Sequence, residues 1–131
     1  MRFNLRIETY FRQVNETLEN CAVALSVNVT CDKRGTHEGF IRGEIHFRDG
    51  SILQFREFVD VELMIERLMY AYHYTEASGK FMFRYDNTGH YRSVPTYPHH
   101  KHEGSEQNVV ISTAPFLADV LVEIEKLVLL P

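Results

Sequence analysis

The chain has 131 residues, the length of one compact domain, and we expect residues 1–131 to form a single domain with a buried core. Its 44% hydrophobic and 24% charged residues are typical of a soluble globular protein and exclude an intrinsically disordered one. The formal net charge of -4 argues against a protein that coats nucleic acid or membranes through its overall charge.

The charge is unevenly distributed along the chain. Residues 67–102 hold five basic and two acidic side chains, a net charge of +3, together with five of the seven histidines. The remaining residues therefore carry -7. A mildly acidic protein with one basic, histidine-rich third is compatible with a local phosphate-binding site despite its overall charge.

The N-terminal region predicts a helix followed by a strand. Between residues 5 and 19, apolar side chains recur at helical spacing: Ile7, Tyr10, Phe11, Val14 and Leu18. Apolar residues then alternate over residues 23–31, which predicts a half-buried strand. Cys21 and Cys31 both fall on this pattern, and ten residues of strand span about 33 Å, too far for a disulfide. Free cysteines and the lack of a membrane-spanning apolar run predict a cytoplasmic protein.

A hairpin is predicted at Asp49-Gly50, a strong turn signal between two apolar patterns. A three-residue loop, Asp49-Gly50-Ser51 with the glycine in the left-handed conformation, keeps the apolar side chains of both strands on one face. This register places Glu57 on the apolar face opposite Gly43, where a carboxylate needs a partner or a function. It pairs Phe47 with Leu53, Ile45 with Phe55 and Ile41 with Val59.

A second hairpin is predicted around a four-residue loop, Glu76-Ala77-Ser78-Gly79. Its apolar face forms an aromatic ladder, because paired aromatic side chains stabilise neighbouring strands. The ladder pairs Tyr74 with Phe81, Tyr72 with Phe83 and Tyr70 with Tyr85. The other face places His73 beside Met82 and Ala71 opposite Arg84.

The C-terminal third predicts an irregular stretch over residues 86–106, a short strand at Val109–Ile111 and a final helix. Thr113 is the expected N-cap of this helix, and Pro115 lies in its first turn. The core stripe of the helix is Leu117, Val120, Leu121, Ile124 and Val128. The predicted fold is therefore α+β, with an N-terminal helix, a four- to five-stranded antiparallel meander sheet and a C-terminal helix.

Histidines form the densest group of chemically active side chains: PHHKH at residues 98–102, with His90 upstream. Histidine titrates near neutral pH and can act as a general acid or base, and neutral imidazole binds metals. For zinc, no third ligand lies at a recognised spacing, so we expect no cofactor and keep a divalent metal at this loop as an alternative. A solvated histidine-rich loop is the third interpretation.

A second group of polar side chains lies on one face of the second hairpin and at its end: His73, Arg84, Asp86 and Asn87. An arginine can hold a phosphate with two donors, and a nearby histidine or Lys101 could move protons or neutralise charge. A satisfied polar ladder would explain the same residues. Tyr91 and Tyr97 are candidates for stacking on bases, whereas the alternating tyrosines of the hairpin favour core packing.

Several segments combine into one pattern that spans nearly the whole chain. They are YHY at residues 72–74, FRYDN at 83–87, His90, YPHHKH at 97–102, Phe55-Arg56-Glu57, and the helix start with Ser112, Pro115 and Leu117. This pattern resembles the TumE-like family, small toxin components of bacterial toxin–antitoxin modules. The resemblance implies a cytoplasmic bacterial protein encoded beside an antitoxin, which would be a helix-turn-helix DNA-binding protein.

We therefore predict a toxin that acts on RNA as a metal-independent ribonuclease, because cleavage by the RNA 2′-hydroxyl needs a base, an acid and a cation at the phosphorane. The predicted catalytic residues are Glu57, His73, Arg84, His90, His100, Lys101 and His102. The predicted substrate-binding residues are Asp86, Asn87, Tyr91, Arg92, Tyr97 and His99. The alternative is a non-catalytic binding module whose histidine-rich loop is a partner interface or a metal site. A homo-oligomer is compatible with either hypothesis.

Overall fold

A computed structural model of the protein describes residues 5–89 and 96–130. Within these ranges the chain forms two helices and seven strands. In chain order they are α1 (Ile7–Glu19), β1 (Ala24–Lys33), β2 (Glu38–Phe47), β3 (Ile52–Asp60), β4 (Glu66–Thr75), β5 (Phe81–Asp86), β6 (His100–Glu103), β7 (Val109–Ile111) and α2 (Leu117–Val128).

The strands form one antiparallel sheet in which each strand pairs with the next along the chain, from β1 to β7. The α+β meander between two helices is confirmed, but the strand count is corrected from four or five to seven. Six of the seven strands lie in segments whose patterns individually predict a strand, one more than the sheet was expected to hold, and the seventh, β6, lies inside the stretch predicted to be irregular. Four residues with the sequence HKHE carry no apolar alternation, so their pattern alone does not indicate a strand.

Both helices lie against one face of the sheet, which we call the inner face, and the opposite face is the outer face. The predicted stripe of α1 is confirmed, since all five of its apolar residues are buried. Helix α1 approaches the sheet closely at Gly39 of β2, where an added Cβ would lie 2.5 Å from the Phe11 ring. The absence of a side chain at Gly39 therefore lets the helix dock directly on the strand.

The final helix begins later than predicted. Its first residue is Leu117, so Thr113 is not its N-cap, and the Asp119 carboxylate instead accepts a hydrogen bond of 3.0 Å from the Phe116 N–H. Arg67 donates to the carbonyl oxygens of Ala114 (3.1 Å) and Pro115, which ties the residues before the helix to β4. The predicted core stripe is buried at Leu117, Val120, Leu121 and Ile124, and Val128 is half-buried.

The first hairpin has the predicted loop length but a different register. The loop is Arg48-Asp49-Gly50, closed by a hydrogen bond of 2.9 Å from the Phe47 N–H to the Ser51 carbonyl, with Gly50 at a φ of 88°. The predicted pairs are therefore wrong: the structure pairs Ile45 with Leu53, Gly43 with Phe55 and Ile41 with Glu57. The reason is steric, because the Phe55 ring occupies the space beside Gly43, where an added Cβ would lie 2.2 Å from a ring carbon.

The second hairpin has a three-residue loop, Ala77-Ser78-Gly79, rather than the predicted four-residue loop. The Glu76 N–H donates to the Lys80 carbonyl at 2.9 Å, and Gly79 has a φ of 88°, as in the first hairpin. The predicted pairs are again wrong by two positions: Tyr72 lies opposite Tyr85, Tyr74 opposite Phe83, His73 opposite Arg84 and Ala71 opposite Asp86. A shift by two positions keeps a side chain on its predicted face, so the tyrosines of the ladder and Phe83 remain on the inner face. Phe81 is the exception, because the register shifts between Tyr74 and Thr75, and its ring centre lies 5.3 Å from that of His73 on the outer face.

The two cysteines are free. Cys31 lies on β1, but Cys21 precedes the first residue of that strand, so the prediction of one continuous strand through both is corrected. Neither helix of the described ranges is long and apolar enough to cross a membrane.

Candidate functional site

Strands β5 and β6 bring four of the predicted site residues together on the outer face. Arg84 pairs with His102 and Asp86 pairs with His100 across the two strands. Because side chains on a strand alternate between faces, residues two apart point to the same side. These four residues form what we call the polar cluster, and three of them are almost completely buried: Asp86, His100 and His102.

The Asp86 carboxylate is the centre of the polar cluster. Its Oδ2 accepts a hydrogen bond of 3.0 Å from Nε of Arg84, and its Oδ1 lies 2.8 Å from Nε2 of His100. The backbone N–H and the hydroxyl of Thr88 also donate to Oδ1, at 3.1 and 3.0 Å. Burial raises the pKa of Asp86, but the donors from Thr88 and Arg84 outweigh it, so the pKa is net lowered and the carboxylate is ionised at neutral pH.

In both buried histidines, a hydrogen bond to a backbone carbonyl oxygen shows that Nδ1 carries a hydrogen. Nδ1 of His100 lies 3.0 Å from the Pro98 carbonyl oxygen, and Nδ1 of His102 lies 2.7 Å from the Glu106 carbonyl oxygen. A carbonyl only accepts hydrogen bonds, so each Nδ1 carries a hydrogen. In both rings this leaves Nε2 directed toward the carboxylate of Asp86, at 2.8 Å for His100 and 3.6 Å for His102.

Arg84 connects the polar cluster to the open part of the outer face. Its guanidinium donates to Asp86 (3.0 Å), to Glu106 (2.7 Å) and to Nε2 of His102 (3.2 Å). The arginine side chain is 26% exposed, so it is the member of the cluster that solvent or a ligand can reach.

A groove lies next to the polar cluster on the outer face, with a volume of about 560 Å³. His73 and Arg84, which lie directly opposite each other on β4 and β5, form one side of it. Other polar side chains that line the groove are Asn28, Thr30, Arg42, Glu44, Gln54 and Arg56. Three arginines and one glutamate line the groove. Asp86 and Glu106 already pair with Arg84, so Arg42 and Arg56 are the arginines that supply positive charge for a phosphate-containing ligand. Burial and the Arg84 charge lower the pKa of His73, so this imidazole is neutral at neutral pH.

Glu57 is not part of this site, because it lies on the inner face and is completely buried. Its two carboxylate oxygens accept hydrogen bonds from the hydroxyls of Tyr10 (2.5 Å) and Tyr72 (2.6 Å). Burial and the charge of Glu57 raise the pKa of both phenols. The carboxylate predicted to need a partner therefore has two, and the sheet separates it from the groove.

Lys101 also lies on the inner face. Its ammonium group is 3.2 Å from a Glu123 carboxylate oxygen of α2 and 4.8 Å from the centre of the Tyr85 ring. Burial lowers the pKa of Lys101, but the contacts with Tyr85 and Glu123 outweigh it and raise it overall. Because neighbouring residues of a strand point to opposite faces, Lys101 cannot act together with His100 and His102.

The remaining predicted substrate-binding residues lie apart from the groove. Asn87 accepts a hydrogen bond of 2.9 Å from the Tyr70 N–H, which holds the end of β5 against β4. His99 shares a hydrogen bond of 2.9 Å with the Tyr70 hydroxyl, and Tyr97 is partly exposed. His90, Tyr91 and Arg92 lie outside the described residues.

Two groove residues that the sequence interpretation missed are Arg42 and Arg56. They occupy the polar positions of β2 and β3, between the buried residues of each strand. They lie directly opposite each other in the sheet. Their signal in the sequence was the alternation itself, since a strand residue whose two neighbours point inward must point outward.

The structure defines an α+β protein with a buried polar cluster beside an arginine-rich groove, and comparison with known proteins assigns its family. The chain belongs to the TumE toxin family: the family described as Toxin TumE matches residues 13–128, from α1 to the end of α2. This confirms the resemblance seen in the sequence and identifies the chain as a toxin component of a toxin–antitoxin system. No curated protein and no solved structure matches the chain.

Proposed function

We propose that this toxin acts on RNA as a ribonuclease and that the groove on the outer face binds and cleaves the substrate. The observation that carries the proposal is the cross-strand pair of His73 and Arg84, which places an imidazole and a guanidinium side by side in a groove that two further arginines line. Phosphate oxygens are the natural ligands of such arginines.

The proposed reaction uses the RNA 2′-hydroxyl as nucleophile. His73, neutral at neutral pH, accepts the proton of that hydroxyl as its oxygen attacks the neighbouring phosphorus. Arg84 stabilises the negative charge that develops on the phosphorane, and the leaving 5′-oxygen takes a proton from water. Arg42 and Arg56 hold the phosphates of the adjoining nucleotides. No metal ion takes part in these steps.

The polar cluster has a supporting role in this proposal. Asp86 and Glu106 each hold one part of the Arg84 guanidinium, and Asp86 is itself fixed by Thr88. A guanidinium held in place needs little reorganisation when charge develops at the phosphate. His100 and His102 are each 1% exposed, so they act by orienting Asp86 and Arg84 rather than by contact with RNA.

The test is cleavage of labelled RNA by the purified toxin in the presence of a chelator. We expect products with 2′,3′-cyclic phosphate ends and a loss of about 10²-fold or more in rate for His73→Ala. His46→Ala is the matched control, because His46 is half-exposed and lies outside the groove, paired with Glu44 at 3.0 Å. RNA that stays intact with the folded parent protein contradicts the enzymatic proposal.

A second candidate is a binding module that inactivates its target by contact. The observation that favours it is the saturation of Arg84, whose donors already contact Asp86, Glu106 and His102 as in a structural polar ladder. This binding module would not use His100 and His102 as its partner interface, because both rings are buried. Toxic protein that binds RNA or another target through the groove without cleaving it would favour this candidate.

Family membership implies a cognate antitoxin. We propose that this antitoxin is a helix-turn-helix DNA-binding protein and that the pair acts in the cytoplasm, where free cysteines such as Cys21 and Cys31 stay reduced. Co-purification of the toxin with the product of the neighbouring gene tests the pairing, and an antitoxin that does not bind DNA would contradict this proposal.

A further inference from the structure

We propose that Asp86, His100 and His102 bind one divalent transition-metal ion of the Zn²⁺ class. The inference goes beyond the proposed ribonuclease function and does not depend on it, since no catalytic step is assigned to the ion. It concerns the interior of the polar cluster rather than the groove.

Three donor atoms of the polar cluster converge on one point. One ligand atom from each residue lies within 4.8 Å of the other two. Nε2 of His100 lies 2.8 Å from Oδ1 of Asp86, and Nε2 of His102 lies 3.6 Å from Oδ2, the other oxygen of the same carboxylate. Zinc ligands at about 2.0–2.1 Å from the ion, arranged tetrahedrally, are roughly 3.3 Å apart. Small side-chain movements therefore suffice to place an ion between the three atoms, and a hydrogen carried by an Nε2 atom is released to solvent when the ion binds.

The two imidazoles are held in the orientation that a metal ligand needs. Both donate their Nδ1 hydrogen to a backbone carbonyl, of Pro98 for His100 and of Glu106 for His102. Metal-binding histidines almost always use their second ring nitrogen in this way, because the hydrogen bond fixes both the tautomer and the ring orientation. Two histidines with the same arrangement and a shared carboxylate between their Nε2 atoms form a prepared ligand set.

The donor atoms of the cluster favour one kind of ion. Two imidazoles and one carboxylate suit Zn²⁺ and neighbouring first-row ions, whereas Mg²⁺ and Ca²⁺ prefer oxygen ligands. All three side chains are at most 3% exposed, so the site excludes bulk water and its three ligand side chains are held in fixed orientations. An exposed histidine–carboxylate pair such as His46 and Glu44 lacks both the third ligand and the burial.

Arg84 is the group that must move when the ion binds. Its guanidinium now contacts Asp86 Oδ2 and His102 Nε2, two of the proposed ligand atoms. It would leave these atoms and keep its contact with Glu106. Arg84→Gln removes the competing positive charge, so we expect this variant to bind the ion about tenfold more tightly.

The experiment uses untagged full-length protein from which metals have been removed with a chelator. We expect Zn²⁺ to bind at one ion per chain in calorimetry, and Co²⁺ to give visible absorption bands. His100→Gln and His102→Gln are expected to weaken binding at least 100-fold, whereas the control variant His46→Gln leaves it unchanged. Unaltered binding in folded His100→Gln or His102→Gln, or loss of binding in His46→Gln, would overturn the proposal.

A measurement on the parent protein covers the case in which the variants fail to fold. Addition of Zn²⁺ to protein with ¹⁵N-labelled histidine should shift the Nε2 signals of His100 and His102 while their Nδ1 atoms stay protonated. No shift at these two histidines, or less than one ion bound per two chains, overturns the site. These readouts do not involve RNA, so failure of the ribonuclease proposal and failure of the metal site are distinguishable.

Discussion

The two faces of the sheet use polar residues in opposite ways. On the inner face, Glu57 and Lys101 are enclosed by partners from the helices and the tyrosines, and each polar group has a structural contact. On the outer face, His73 and Arg84 border an open groove beside a cluster with two prepared imidazoles. Residue type alone therefore does not define a site in this protein, because the face on which a strand places the residue decides its role.

Strand β6 shows this difference within three residues. Its sequence HKH sends His100 and His102 to the outer face and Lys101 to the inner face. A site built from all three consecutive residues, as the sequence suggested, would require side chains on both sides of the sheet. Substitutions on each face can therefore test whether the two faces have separate roles.

Glu57→Ala is expected to cause the largest change, because it breaks the polar centre of the inner face. Truncation leaves the hydroxyls of Tyr10 and Tyr72 without their acceptor in the core, at a cost of about 1–3 kcal/mol each. The free energy of unfolding should therefore fall by about 3 kcal/mol or more, measured by urea denaturation. The control Glu44→Ala, on the exposed outer face, should leave the urea midpoint unchanged.

The same variant also tests whether Glu57 takes part in RNA chemistry. If the two faces have separate roles, the fraction of Glu57→Ala that remains folded cleaves RNA at the parental rate. An RNA cleavage rate clearly below the parental rate, in Glu57→Ala protein shown to be folded, would place Glu57 in the reaction. It would contradict the separate roles of the two faces.

The second prediction concerns protonation on the outer face. Burial and the neighbouring charge of Arg84 lower the pKa of His73, so its titration followed by NMR should have a midpoint below 6.5, the ordinary value for histidine. Because the folded pKa lies below the unfolded one, this histidine contributes stability above pH 6.5 that is lost as the pH falls. Arg84→Gln should move the midpoint upward, and a midpoint above 6.5 in the parent protein would contradict the assignment.

The division into faces could be predicted from the sequence, but the partners across the strands could not. Alternation of apolar residues placed Glu57 inward and His73 outward correctly, because the period of a strand is two residues. Both hairpin registers were nevertheless wrong by two positions, a shift that alternation cannot detect. The correct register depends on packing, as in the fit of the Phe55 ring beside Gly43.

The polar cluster was only partly predictable for the same reason. His73, Arg84 and Asp86 could be assigned to one face of the second hairpin from sequence alone. The contact of Asp86 with His100 depends on β6 pairing with β5, across a segment whose composition indicates no strand. The tautomers of His100 and His102 depend in turn on the carbonyls of Pro98 and Glu106, which only the folded backbone brings within reach.

Lys101→Met should have the smallest effect. It is the most direct test of the separation between the two faces, because it changes the one residue between the two buried histidines. The methionine can keep much of the packing of the lysine stem against the rings of Phe83 and Tyr85. The variant loses the ion pair with Glu123 and the cation–π contacts, so we expect unfolding free energy to fall by about 1 kcal/mol or less. RNA cleavage and Zn²⁺ affinity should equal those of the parent, since Lys101 lies across the sheet from both sites. A cleavage rate reduced tenfold or more in folded Lys101→Met would mean that the lysine reaches the substrate, and the separation of the two faces would then be wrong.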